Sequence, residues 1–237
     1  MRQPHMNRMM TGICLMTAAA LFLAVVSSAG AQVDGAQPAN AQPTGARQEP
    51  LPDEVWQNMQ GKSWHPGMGC PDRAELVLLT LPYHDFSGEA QTGRMIVNRN
   101  VAPAVMQIFE AIYLTDFRIA VMRLIDDFGG NDNASMEANN TSAFNCRKVT
   151  SGRSKSAHAE GLAIDMNPRQ NPYVRGPLTL PASAGDLDEA GERGAAKGPG
   201  LVEAEGAVVR IFRENGWKWG GNWRSLKDYQ HFSANGR

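Results

Sequence analysis

This chain of 237 residues has almost no surplus of charge: 23 Lys and Arg stand against 24 Asp and Glu, a formal net of -1. A protein that holds nucleic acid by neutralising phosphates needs a cationic face, so that class of partner is set aside. No internal repeat is apparent, and a solenoid or propeller is set aside with it. Long apolar runs are also missing. The longest spans 13–26 and is too short to cross a bilayer comfortably. Arg2 and Arg8 precede it, Ala29-Gly30-Ala31 follows it, and no acidic residue occurs before Asp34. These flanks predict a secretory leader over 1–31 in place of a buried helix. A lipid anchor does not fit either, because Cys14 lies inside the run and not at its end.

Cysteine is scarce, with three in all. Loss of the leader takes Cys14 and leaves Cys70 and Cys146 in an oxidising compartment, where two thiols tend to pair. One disulfide is expected; the competing reading makes Cys146 a thiolate ligand. The 42% hydrophobic content and five Trp suffice for a core. Residues 32–52 are rich in Ala, Gln and Pro and poor in large apolar groups, so they read as a disordered tether, with a catalytic domain over 53–237.

Within that domain a short helix is expected over 54–60 and strands over 75–81, ended by Pro82, and over 94–98. Val105, Ile108, Phe109 and Ile112 recur at helical spacing within 103–113, and alternation at Phe117, Ile119 and Val121 suggests another strand. Residues 129–157 form a long polar stretch rich in Asn, Ser and Gly, whose amides and hydroxyls either fix backbone or line a polar groove. Leu162, Ile164 and Met166 alternate with Ala163 and Asp165, which puts Asp165 on the face opposite the core. Residues 175–200 read as an exposed connection, 202–215 as an amphipathic helix stopped at Asn215-Gly216, and 217–219 and 229–232 as the last strands. The fold class is therefore α+β: a small antiparallel sheet flanked by helices.

Five histidines are present, and two of them carry an aspartate at short range: His158 with Asp165, and His231 with Asp228. Two imidazoles and one carboxylate give zinc three ligands and an open fourth position, as hydrolytic chemistry requires. His158, Asp165 and His231 are assigned as ligands at the sheet edge, and Asp228 as the base that takes a proton from water and returns it to a leaving amine. The three-residue offset of Asp228 and His231 puts them on one face of a helix, or needs a bend in a strand. The bland alternative makes both histidines hydrogen-bonded core groups and both aspartates turn or cap residues. His84-Asp85 stands alone in a loop and is read as structural or solvated. Trp217, Trp219 and Trp223 either wall a groove or seal core.

The pattern Ser156-x-His158, Asp165, then Asp228-x-x-His231 resembles the zinc D-alanyl-D-alanine carboxypeptidase and L-alanyl-D-glutamate endopeptidase family, of the vancomycin-resistance carboxypeptidase and phage endolysin type. The runs at 139–147 (NNTSAFNCR), 163–168 (AIDMNP), 170–173 (QNPY) and 217–223 (WKWGGNW) resemble an exported bacterial branch. The resemblance implies one zinc ion, the same three ligands, and Asp228 where many relatives carry Glu. It also implies that Ser156 and an arginine, for which Arg147 and Arg123 are candidates, hold the substrate. It implies a periplasmic or secreted monomer that cuts an amide in a peptidoglycan stem peptide. Neither a nucleic acid nor stable membrane insertion after leader removal is expected.

Overall fold

The computed structural model describes residues 45–150, 152–184 and 198–236. The leader expected over 1–31, and the tether as far as 44, lie outside the described residues. Residues 47–50, which composition assigned to the tether, form a strand. Strand β1 (Arg47–Pro50) pairs antiparallel with the central strand of the first sheet, in register Arg47↔Thr80. All four β1 side chains are exposed, so it is held by backbone hydrogen bonds and leaves no apolar signature in the sequence. Leu51, next in the chain, is buried.

Helix α1 (Asp53–Met59) follows, then β2 (Leu76–His84) and β3 (Ala90–Asn98), paired antiparallel over their full lengths. Strand β2 is apolar on both faces because two core clusters flank it. Val77, Leu79 and Leu81 enter the larger, and Leu76 and Leu78 the smaller. Pro82 lies inside β2 and does not end it, contrary to expectation. The β1 register stops at Thr80, so Pro82 meets only β3, in register with Thr92, and its missing N–H falls on a free edge.

Helix α2 (Ala102–Tyr113) buries Val105, Ile108, Phe109 and Ile112 against β2. Each such side chain is worth about 1.5–3 kcal/mol of transfer free energy. Strand β4 is only Val121–Met122. The longer strand expected from Phe117 does not form, because the amides of 118–120 donate to the Pro199 and His84 carbonyls and to the Asn167 side chain.

The polar stretch 129–157 is not one loop. It holds α3 (Asp132–Glu137), whose N-terminus is capped by Asn131, and β5 (Asn140–Thr141), parallel to β4. Next come β6 (Ala163–Asp165), β7 (Tyr173–Arg175), β8 (Leu178–Leu180), α4 (Ala207–Glu214), β9 (Lys218–Trp219), β10 (Lys227–Asp228) and β11 (His231–Ser233). The expected helix over 202–215 is thus shorter at its start. Part of the expected connection 175–200 is the hairpin β7–β8, and 185–197 lie outside the described residues.

In place of the single small sheet expected from the sequence, the described residues form three antiparallel sheets of three strands, ordered β1-β2-β3, β10-β7-β8 and β6-β11-β9, and the parallel pair β4-β5. Phe232 of β11 stacks on Phe212 of α4 at 3.9 Å between ring centroids, which ties the third sheet to the helical layer. The described residues include no helix long and apolar enough to cross a membrane.

Cys70 and Cys146 form the expected disulfide, at a sequence separation of 76. It rules out Cys146 as a free thiolate ligand and ties the turn after α1 to the segment that carries Arg147. In the chain-entropy account, closing a loop of this size stabilises by roughly 4 kcal/mol. The double variant C70S/C146S is therefore expected to melt well below the oxidised protein in denaturant titrations, and added reductant should no longer shift it.

Candidate functional site

Asp165 ends β6 and His231 begins β11, and the two are direct partners in the antiparallel register. The third residue, His158, comes from a one-turn 3₁₀ helix (Ala157–Glu160) whose first turn is capped by the Ser156 hydroxyl, which accepts from the His158 amide at 3.3 Å. Gly161 closes that turn at φ 67°, and a Cβ there would lie 2.5 Å from the Asn98 amide nitrogen. Only glycine allows both the left-handed backbone and this approach to β3.

The donor atoms converge. His158 Nε2 lies 3.1 Å from Asp165 Oδ2, His231 Nδ1 lies 3.2 Å from Asp165 Oδ1, and the two nitrogens are 3.2 Å apart. All three side chains are buried, and one ligand atom from each falls within 4.8 Å of the others. The Ala143 carbonyl lies 2.6 Å from His158 Nδ1, so that nitrogen carries the proton and Nε2 turns its lone pair inward. A lone pair, a second ring nitrogen and a carboxylate facing one another favour a cation among them, whether a proton or a metal ion. Tetrahedral zinc with bonds of 2.0–2.1 Å would space its nitrogens roughly 3.3 Å apart. The residues therefore fit a divalent ion. Burial disfavours the Asp165 charge, yet the imidazoles of His158 and His231 outweigh it and hold the carboxyl well below the usual range.

Asp228 ends β10, opposite Tyr173 of β7. The three-residue offset is neither a helix nor a bulge, since the chain leaves one sheet at Asp228 and enters another at His231. Asp228 Oδ1 is shielded from solvent and has no hydrogen-bond partner among the described residues. Burial pushes this carboxyl up to about 7, with the His231 imidazole pulling it down and the Asp165 charge pushing it further up. Two carboxylates in one site thus have their proton affinities driven apart, the usual mark of divided acid–base roles.

Gly220 forms the floor of this arrangement. A Cβ on it would lie 2.6 Å from the Asp228 carbonyl oxygen, 3.0 Å from Asp228 Cβ and 3.2 Å from His231 Cβ. G220A is expected to fold with a loss of about 1–3 kcal/mol. Because it displaces His231, it should lower divalent-metal affinity by about ten- to hundredfold, a drop that metal titration beside a denaturant titration would separate from unfolding.

His158, His231 and Asp228 open onto a cavity of about 520 Å³, which Ser156 and Arg147 also line. Arg147 is fixed by Asp132 at 3.0 Å and donates to the Lys148 carbonyl. Arg123 does not reach the cavity: it pairs with Asp127 at 3.0 Å and lies over the Phe128 ring, both on the 3₁₀ turn that follows it. The three tryptophans divide, with Trp217 and Trp219 in the larger core cluster and Trp223 on the cavity wall beside His231. His84 stacks on Tyr113 and Asp85 closes its own turn, as a structural pair would.

The asparagines of 139–147 fix backbone. Asn140 accepts from the Arg123 amide and donates to the Arg123 carbonyl and Ser135, while Asn139 ties Arg169 and Gln170. Beyond β6, Asn167 and Asn171 bind main-chain groups at Ala120, Arg118, Gly200 and Val202. The Ala143 carbonyl itself is held against His158 by main-chain bonds on either side, from the Ser142, Phe144 and Asn145 amides to the Asp165, Ile96 and His158 carbonyls. The sequence reading did not single out Asp132, Tyr173 or Arg175. Alternation in β7 marks the last two, but a three-residue strand is too short to stand out.

A buried site of two histidines and one aspartate, with a spare carboxylate beside a cavity, is the layout of a hydrolytic metal centre. Residues 150–234 match a family model described as D-alanyl-D-alanine carboxypeptidase. The match covers His158, Asp165, Asp228 and His231 and supports the zinc peptidase family that the sequence resembles. No curated protein and no solved structure matches the chain.

Proposed function

We propose that the protein is an exported zinc peptidase that hydrolyses an amide bond in peptidoglycan stem peptides, as a D-Ala-D-Ala carboxypeptidase or an L-Ala-D-Glu endopeptidase. The observation that carries this reading is the mutual approach of His158, Asp165 and His231 within 4.8 Å, beside Asp228, on the cavity wall. His158 Nε2, His231 Nδ1 and the Asp165 carboxylate would hold the ion. When bound, zinc would supply Lewis acidity, activating water and polarising the scissile carbonyl.

The chain's own groups do the rest. Asp228 accepts the proton that water loses on attack and delivers it to the nitrogen as the C–N bond breaks. Arg147, oriented by Asp132, presents a guanidinium to a substrate carboxylate or to charge growing on the carbonyl oxygen. The Ser156 hydroxyl sits at the cavity wall close to His158 and serves as a second polar anchor. The disulfide supports an oxidising, extracytoplasmic location.

Incubation with muropeptides, with and without chelator, followed by mass spectrometry, tests the reading. Release of terminal D-Ala marks the carboxypeptidase, and scission between L-Ala and D-Glu the endopeptidase. A zinc-loaded protein that binds wall material yet yields no product would overturn the proposal in favour of a silent, zinc-stabilised wall-binding module.

A further inference from the structure

We infer that Arg175 forms a carboxylate subsite of the cavity, which selects peptides bearing an acidic group one or two residues from the bond cut. This rests on the peptidase reading of the same cavity. The placement follows from strand register. Asp228 pairs with Tyr173, and side chains alternate along β7, so Tyr173 and Arg175 share the face that lines the cavity. Two residues of strand are roughly 6.6 Å, the rise of about two residues of an extended substrate. Arg175 also closes the β7–β8 hairpin, paired with Leu178, which places its exposed side chain at the rim.

Its freedom is the second observation. The other two cations that line the cavity are committed: Arg147 to Asp132 and Lys155 to Glu160. Among the described residues, no carboxylate or carbonyl holds Arg175. A planar guanidinium at the rim of a peptide-sized cavity complements a carboxylate through two parallel N–H···O bonds, and a carboxamide offers one acceptor oxygen and no charge in its place. The ligand chemistry is thus a peptide with an acidic side chain or a free α-carboxylate beyond the residues that flank the scissile amide.

The test uses two stem-peptide fragments that differ only in that carboxylate, left free in one and converted to carboxamide in the other. kcat/KM is measured for the zinc-loaded full chain, R175K and R175Q, and binding of both peptides to the metal-free proteins is followed by NMR titration. A charged hydrogen bond predicts that the unsubstituted protein prefers the acid roughly ten- to hundredfold, chiefly through KM. R175Q should bring the acid peptide down to the level of the amide, and R175K should retain part of the preference. The same ranking is expected in the titrations. Equal treatment of acid and amide by the unsubstituted protein, or an undiminished preference in R175Q, overturns the subsite. If neither peptide is cut, the peptidase reading fails, and the titrations still decide whether Arg175 reads the carboxylate.

Discussion

Replacing Asp228 with Asn leaves zinc binding intact and lowers peptide turnover by about 10²–10⁴-fold, the usual contribution of a positioned acid–base group. Asn keeps the shape of the side chain but cannot take a proton from water at neutral pH. The donor set does not include residue 228, so metal analysis by mass spectrometry should show one zinc per chain, as in the unsubstituted protein. Zinc loss in this variant would mean that base and ligand have been exchanged in the assignment.

The same substitution has a second signature, in the metal-free protein. Folding raises the Asp228 carboxyl from 3.8 to about 7, so the native state binds this proton more tightly than the unfolded chain does. Its contribution to stability is complete below pH 3.8 and is lost as pH rises through 7. Asn removes that dependence. Metal-free D228N should therefore melt above the metal-free unsubstituted protein at pH 8, and the gap should close toward pH 4. Asp165 has the opposite sense, since its folded value is depressed: its contribution is present above pH 3.8 and is lost as pH falls toward that depressed value. Although its charge acts on Asp228, its depressed value keeps it ionised across pH 4–8 in both proteins, so the comparison in that window reports Asp228.

His158→Ala has the larger effect, abolishing stoichiometric zinc binding and reducing turnover to background. The substitution removes one nitrogen donor, leaves the Ala143 carbonyl without its imidazole partner and strips the buried Asp165 carboxylate of one of its two stabilising rings. Unpairing a buried charge costs about 3–5 kcal/mol when no water replaces the partner. Thermal melts give the sharper readout. Zinc at a hundredfold excess over its Kd should stabilise the unsubstituted protein by about 2.7 kcal/mol. H158A should start lower and show no zinc-dependent rise. A full zinc shift in H158A would exclude this residue as a ligand.

The residues of the candidate metal site were legible as a group that converges, because chemistry restricts their types. Two of only five histidines, each with an aspartate at short range and far apart in the chain, stand out as one possible donor set. Helix α2 and the apolar parts of β2, β3 and α4 were legible for a related reason, since their apolar runs are long, though the strands extend further toward their shared turn and α4 begins later than expected. What could not be read is short or contextual. β1 is wholly exposed and made by backbone pairing, β4 and β5 have two residues each, and Pro82 is tolerated only because β1 has already ended. Arg123 and Arg147 are indistinguishable as sequence; Asp127 on one side and Asp132 on the other decide which of them faces the cavity. For the asparagines of 139–147, the choice between scaffold and groove depended on partners up to 31 positions away, which no local pattern encodes.

Asp165 and His231 occupy one rung of an antiparallel ladder, while His158 arrives on a single turn. Two of the three candidate donors thus inherit the stiffness of a sheet, and the third is carried by one short turn of chain. A change that shifts the sheet register therefore moves both Asp165 and His231, whereas a change in the turn before Gly161 moves His158 alone.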